Sequence, residues 1–341
     1  MSIVIGGSGM ITAVGVGTEQ VLAAIGAGIS LYKDSAIYDN KGIPFKLATV
    51  PDACLPKLDP ATKLASPKGR YKRMLRLALA GITTLLPSLP KNSAVPLFLA
   101  LPGRHGGMTF PALEPFLKDF HAQGARFDLA ASKVFPSGRA AGAEAMQAAV
   151  QALQSGQAQH IIVGGVDTAL DLALLNQWHS ERRLLTSMTM QGFVPGEGAG
   201  FLLLSQAENT PGAIVVSGVG TGSEPGHTYS DEICRAEGLM QAINTATAAS
   251  PEPAQTVCCG LTGENVAIKE WGITATKTKG FASDFVLMHP AENYGDLGAA
   301  SIPVLIAISA AGMTKQKIKG PVVVWASSDL ALRGAISLYQ A

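Results

Sequence analysis

Short runs of β-branched and aliphatic residues bounded by glycine recur along the chain: SIVIGG, VPLFLALPG, HIIVGG, GFLLLS, AIVVSGVG and PVVVWASS. Between them lie longer stretches with apolar positions at helical spacing, such as EQVLAAIGAG, RMLRLALAGITTLL, AGAEAMQAAVQALQSG, EGLMQAINTATAA and ASIPVLIAISAAG. This alternation predicts α/β layering, with strands covered by helices on both faces. In the stretch 140–155, Ala141, Ala145, Ala148, Ala149 and Ala152 cover nearly the whole helical circumference, which predicts a helix buried between layers. It ends at QSGQAQHIIVGGVD, a glycine stop followed by a strand. The same order of elements returns from AIVVSGVGTGS onward, so an internally duplicated fold is expected.

Composition narrows the function classes. The 341 residues are 47% hydrophobic and 15% charged, enough to bury a large core. Formal net charge is +1, and the longest basic cluster is KGRYKR at 68–73, so the electrostatic footprint of a nucleic-acid binder is missing. The start, MSIVIGGSGM, lacks a basic n-region and suits a first strand better than a leader, and apolar runs such as PVVVWA are strand-length rather than membrane-spanning. A cytoplasmic protein is expected. Cys54, Cys234, Cys258 and Cys259 lack CxxC spacing, and the vicinal pair reads as the small apolar end of the strand AQTVCC. GSG at 7–9 is not GxGxxG, so a tight turn explains it without a dinucleotide. No cofactor or metal is expected.

Several stretches together resemble the β-ketoacyl synthase branch of the thiolase superfamily. QGFVPGEGAGFLLL, residues 191–204, is similar to that family's DGFVxGEGAG segment. VIGGSGMITAVG at 4–15, KRMLRLALA at 72–80, AQHIIVGGVDTA at 158–169 and YGDLGAAS at 294–301 support it and span the chain from end to end. The resemblance implies a thiolase-like five-layer α-β-α-β-α sandwich of two halves, here 1–210 and 211–341, and a dimer made across a central strand. It also implies a cysteine nucleophile at the start of a buried helix, two histidines that promote decarboxylation, and backbone N–H groups holding the thioester oxygen.

Those groups fail together. Matching RAAG, residues 139–142, to the nucleophile pattern CxxG places Arg139 where the cysteine belongs, and a guanidinium stays protonated and cannot attack a thioester. The first histidine position falls on Gly260 in CCGLTGEN, the second on Gly295 or Asp296, and the family lysine on Pro290. The gating glycines are replaced by WASSDLA at 325–331, and the chain is short between LKDF and FPSG and between SERRLL and QGFV. A cation at a helix N-terminus is unfavourable by a few tenths to about 1 kcal/mol unless an anion offsets it. Arg139 is therefore expected either to plug the vacated pocket against a carboxylate such as Glu144, Glu197 or Asp296, or to read an anionic ligand. Ser137 lies nearby without the GxSxG of a nucleophile elbow. Glu197 is expected to satisfy buried backbone donors, and His289 with Asp296 is the remaining acid–base pair by position.

Three functions remain open from the sequence. The first is a non-catalytic accessory protein acting through a partner, resembling either chain-length factors, which pair with a competent ketosynthase, or the short thiolase-like accessories of type VI secretion effector modules. The second is an acyltransferase or thioester hydrolase using displaced residues such as Ser137, Cys258 or Cys259. The third is a binding module in which Arg139 holds an anionic acyl-carrier or CoA-type ligand.

Overall fold

The computed structural model describes all residues except 40, 92–93, 104–114, 187 and 209. Its first half runs β1 (Ser2–Thr12), β2 (Gly15–Val16), α1 (Thr18–Gly26), a small hairpin of β3 (Lys33–Tyr38) and β4 (Pro44–Leu47), then α2 (Gly69–Leu85). It continues through β5 (Pro96–Ala100), α3 (Pro115–Ala122), β6 (Asp128–Phe135), α4 (Ala141–Gln154), β7 (His160–Thr168), α5 (Leu172–Ser180) and β8 (Glu197–Ala207). The second half runs β9 (Ile214–Ser223), α6 (Glu237–Thr247), β10 (Ala254–Cys259), α7 (Asn265–Lys277) and β11 (Phe281–Met288). It closes with α8 (Ala291–Tyr294), α9 (Ser301–Thr314), β12 (Val322–Ser327) and β13 (Leu332–Gln340).

The strand orders show the duplication. The first sheet reads β6-β5-β7-β8-β1 and the second β11-β10-β12-β13-β9, joined through the single pair Val4↔Val215. In each, one strand, β8 or β13, runs antiparallel to both neighbours, while the outer strands are parallel. Three apolar cores separate five layers. One lies under α2 and α3, one holds α4 and α9 between the sheets, and one lies under α6 and α7. Burial of these continuous apolar strands is worth roughly 25 cal/mol per Å2 of apolar surface removed from water, which is why a 47% hydrophobic chain sustains three cores.

The central layer differs from expectation in one respect. α4 lies between the sheets, against β5 and β7 on one side and β9 and β13 on the other, but it is not enclosed all round: eight of its 14 residues are buried, and Gln151 and Gln154 reach solvent. The helix enclosed nearly all round is α9, with 12 of 14 residues buried. α4 approaches α9 closely because Gly142 has no side chain; a Cβ there would lie 2.7 Å from Ile302 Cβ. The sequence reading also passes over β6, β11 and β13 and the helices α3, α5 and α7. β6 and β11 are sheet edges with the same half-exposed burial, so their sequences, DLAASKVF and FASDFVLM, lack the continuous apolar run of an interior strand. Among the described residues no helix is long and apolar enough to cross a membrane.

Candidate functional site

β6 leads through Pro136 and Ser137 into a 3-10 turn, Gly138–Ala140, that opens α4. Gly138 sits at φ +78°, in the left-handed region that glycine adopts without strain. The turn puts Arg139 inside, only 7% exposed. Its Nε donates to both oxygens of Asp296 (3.0 and 2.9 Å), Nη2 donates to the same carboxylate, and Nη1 donates to Asp329 Oδ1 at 2.5 Å. Asp296 is held in turn by the Gly298 N–H (3.0 Å), and its backbone pairs with Val194 and Gly196.

Asp329 belongs to the connection between β12 and β13, the stretch where the resemblance expects a glycine gate. Arg333, 2% exposed, fixes that connection: its Nη1 donates to the carbonyls of Ser328 (2.9 Å), Leu330 (2.6 Å) and Leu332 (3.1 Å), and its Nε donates to Glu270 at 2.6 Å. Ser327 Oγ donates to the other Glu270 oxygen at 2.8 Å. Ser328 then ties the loop to the helix entrance. Its hydroxyl accepts the Ala140 N–H (3.0 Å) and donates to the Ser137 carbonyl (2.6 Å). A backbone donor at the start of α4 is thereby satisfied within the chain.

A second guanidinium completes the network. Arg183, between α5 and β8, donates to both oxygens of Glu264 (2.7 and 2.9 Å), to Asp329 Oδ1 (2.8 Å) and to the Tyr229 hydroxyl (2.9 Å). The buried Phe193 ring lies between the two cations, 5.5 Å from Arg139 Cζ and 5.4 Å from Arg183 Cζ, so its π face adds to their stabilisation. Burial alone would lower the pKa of both guanidiniums. The facing carboxylates, Asp296 and Asp329 for Arg139, and Asp329 and Glu264 for Arg183, more than offset it and raise both above the usual arginine value. Burial also pushes the Tyr229 phenol up to about 12.

On its Arg139 side this arrangement has little room for chemistry. The cavity behind Arg139 measures about 30 Å3, roughly the space of one water and too small for an acyl thioester. Two permanent cations face three carboxylates with their donors directed at those acids, which leaves Arg139 poorly placed to receive an anion. Cys258 and Cys259 lie buried in β10; burial pushes the Cys258 thiol up to about 12 and Cys259 higher, the opposite of an activated thiolate. Among the described residues no histidine hydrogen-bonds to Ser137, Cys258 or Cys259.

The structure thus gathers some of the singled-out residues and disperses others. Arg139 and Asp296 meet, and Ser137, two residues before Arg139, accepts the Ser328 hydroxyl with its carbonyl. Gly260 lines the small cavity, while Gly295, at φ +74°, packs against Val194 and Ala48. His289 lies toward the surface, 3.4 Å from Glu292; it lines one cleft with Asp296 but pairs with Glu292. Glu197 satisfies a buried backbone donor, as expected, but is not a partner of Arg139. It lies outside the Arg139 pocket, ion-paired to Arg73 at 2.5 Å, and satisfies one backbone donor, Val50 N–H at 2.7 Å, and the Thr168 hydroxyl at 2.7 Å. The missed members are Arg183, Glu264 and Asp329. A signal for two of them is present in the chain: Glu264 lies in CCGLTGEN and Asp329 in WASSDLA, the segments that the resemblance aligns with a histidine motif and the glycine gate, so acids there were natural partners for a cation at 139.

Comparisons with known proteins follow this geometry. The family model described as Beta-ketoacyl synthase, N-terminal domain, matches residues 127–210, from the start of β6 past β8, including the Arg139 turn. No curated protein sequence matches the chain. Among solved structures, all of the chain aligns with 99% of a chain of the ishigamide ketosynthase/chain length factor, at 17% identity and a TM-score of 0.70. A ketosynthase in complex with its chain length factor from Xenorhabdus doucetiae gives 16% identity, 98% coverage of that chain and a TM-score of 0.76. The ketosynthase from module 6 of the bacillaene synthase from Bacillus subtilis gives 13% identity, 72% coverage of that chain and a TM-score of 0.73. The chain has the thiolase-like ketosynthase fold.

Proposed function

We propose that the protein is a non-catalytic, ketosynthase-like subunit that acts through a protein partner. The observation that carries this reading is Arg139, fixed by Asp296 and Asp329 at the turn where the resemblance places a cysteine nucleophile. Condensation needs a thiolate, a proton relay and space for an acyl chain. Here a cation, three acids and a cavity of about 30 Å3 occupy that corner. Two of the solved relatives combine a ketosynthase with a chain length factor, which favours the chain-length-factor-like form of the proposal.

β6 offers the partner surface. Among the described residues it ends the first sheet and no strand pairs with its outer side, which leaves that side open for strand pairing with another subunit, in a homodimer or a heterodimer. In this reading residues 1–210 and 211–341 are the two halves of one subunit, and no cofactor or metal takes part.

The test combines intact-mass spectrometry and native mass spectrometry. The protein, incubated with acetyl-CoA, malonyl-CoA and acylated carrier protein, is expected to show no acyl adduct and no condensation product. Purified from its own cells, it is expected to carry a partner in fixed stoichiometry. An adduct mapped to Ser137, Cys258 or Cys259 would reverse the conclusion.

A further inference from the structure

The Arg139–Asp296 pair forms a wall with two sides. Arg139 faces the small cavity, while Asp296 also lines a separate cleft of about 320 Å3 that opens toward solvent. Leu185, Val194, Leu261 and Ile268 supply the apolar wall of this cleft, with Tyr32 beside them. The apolar surface does not stop at the cleft. Tyr32 is 39% and Ile268 49% exposed, and the loop that contributes Leu185 and Gly192 also carries Met188 and Met190, 90% and 78% exposed. Large apolar side chains kept in water around a pocket extend past the reach of a small molecule and suit a protein surface, and methionine adapts to such contacts.

Charge restricts the occupant further. Among the described residues, the acidic side chains lining the cleft are Asp296 and Glu292, with the imidazole of His289 beside Glu292. His289 is the imidazole partner of Glu292, at 3.4 Å, and no lysine or arginine lines the cleft. Lys33 and Lys269, next in sequence to Tyr32 and Ile268, are not part of the lining. An acidic helix or a phosphate would meet like charge here, whereas a basic residue would meet Glu292.

We propose that this cleft docks a segment of a partner protein that inserts one large apolar side chain and sets an adjacent Lys or Arg against Glu292. The proposal rests on the reading of the protein as a partner-dependent subunit. The anchor fills the apolar wall, and the flanking cation sets specificity and orientation.

A peptide array tests it, with Leu or Phe at the centre and Lys, Ser or Glu on either side. Wild-type protein is expected to retain the Lys-flanked peptides about tenfold better than the Glu-flanked ones. Ile268→Glu puts a carboxylate into the apolar wall and should reduce retention about tenfold; because Ile268 is half exposed, its melting temperature should match the wild type. Glu292→Lys should reverse the preference toward Glu-flanked peptides. No retention of any peptide, or retention indifferent to flanking charge and to Ile268→Glu, overturns the proposal. Native and intact-mass spectra of the same samples separate the two failures. A wild-type protein that carries its partner, stays unacylated and retains no peptide refutes the cleft alone, whereas an acyl adduct refutes the functional reading itself.

Discussion

In the first half of the molecule the edge strand β6 enters a 3-10 turn, Gly138–Ala140, and then α4. In the second half β11, by way of α8, reaches the matching turn Gly298–Ala300 and then α9. Both turns begin with a glycine at positive φ, +78° and +52°, and both are held by acids from the opposite half. They are held differently. Arg139 reaches Asp296 and Asp329 through its side chain, whereas its counterpart Ala299 offers its backbone N–H to Asp167 Oδ2 at 3.1 Å. Asp167 is in turn paired with Arg70 at 2.9 Å. A backbone donor survives substitution; a guanidinium does not. The contrast shows that the same corner can be held through a backbone N–H, with no charged side chain in the turn itself, so the charge at 139 answers a local need created by the acids around it.

The largest effect expected from this difference is at Arg139 itself. Arg139→Ala leaves Asp296 buried without its cation, while Asp329 keeps Arg183, and should cost about 3–5 kcal/mol, whereas Ala299→Gly, which keeps the N–H, should cost about 1 kcal/mol. Urea denaturation of the two variants checks the ratio; equal costs would mean that the two turns are equivalent after all.

The seam between the halves comes next. Gly165 in β7 faces the second turn, and a Cβ there would lie 2.3 Å from the Ala299 carbonyl oxygen. Gly165→Ala should destabilise by about 1–3 kcal/mol, whereas Gly272→Ala in α7, where a Cβ meets nothing within 4 Å, should be neutral or stabilise by up to about 1 kcal/mol. Melting temperatures of the pair measure how tightly the second turn rests on the first sheet.

The halves also differ in their thiols. Cys258 and Cys259 are buried in the second, while Cys54 in the first is exposed. Burial raises the Cys258 thiol to about 12 and Cys259 higher, against roughly 8.5 in an unfolded chain. Between these values the folded chain keeps protons that the unfolded chain releases. Stability from this source is therefore complete below about pH 8.5 and declines as pH rises, by up to about 1.4 kcal/mol per pH unit for each thiol. Urea midpoints from pH 8 to 10 should fall less steeply in Cys259→Ala than in the wild type.

Ser328→Ala probes the smallest contribution, the hydroxyl that links the β12–β13 connection to the Ala140 N–H. It should cost about 1 kcal/mol and leave the Arg139 ion pairs in place. A loss comparable to that of Arg139→Ala would show that the loop, rather than the ion pairs, holds the turn.

Alternation of apolar runs and helical stretches was enough to read α/β layers and duplication from the chain, because interior strands such as HIIVGG and PVVVWA are buried on both faces and cannot alternate with polar residues. The motif 191–204 likewise marked the ketosynthase-like fold, and the cation at 139 marked the corner where the carboxylates converge. The edge strands β6 and β11 escaped this reading because half of each faces solvent. What the tertiary structure alone decided is the set of partners. Asp296 lies 157 residues from Arg139, Asp329 lies 190 residues away, and Glu264 reaches Arg183 across 81. Local periodicity reports which face of an element is apolar. It carries no information about which distant carboxylate a buried cation will meet, since that depends on how two five-stranded sheets stack and where their turns converge.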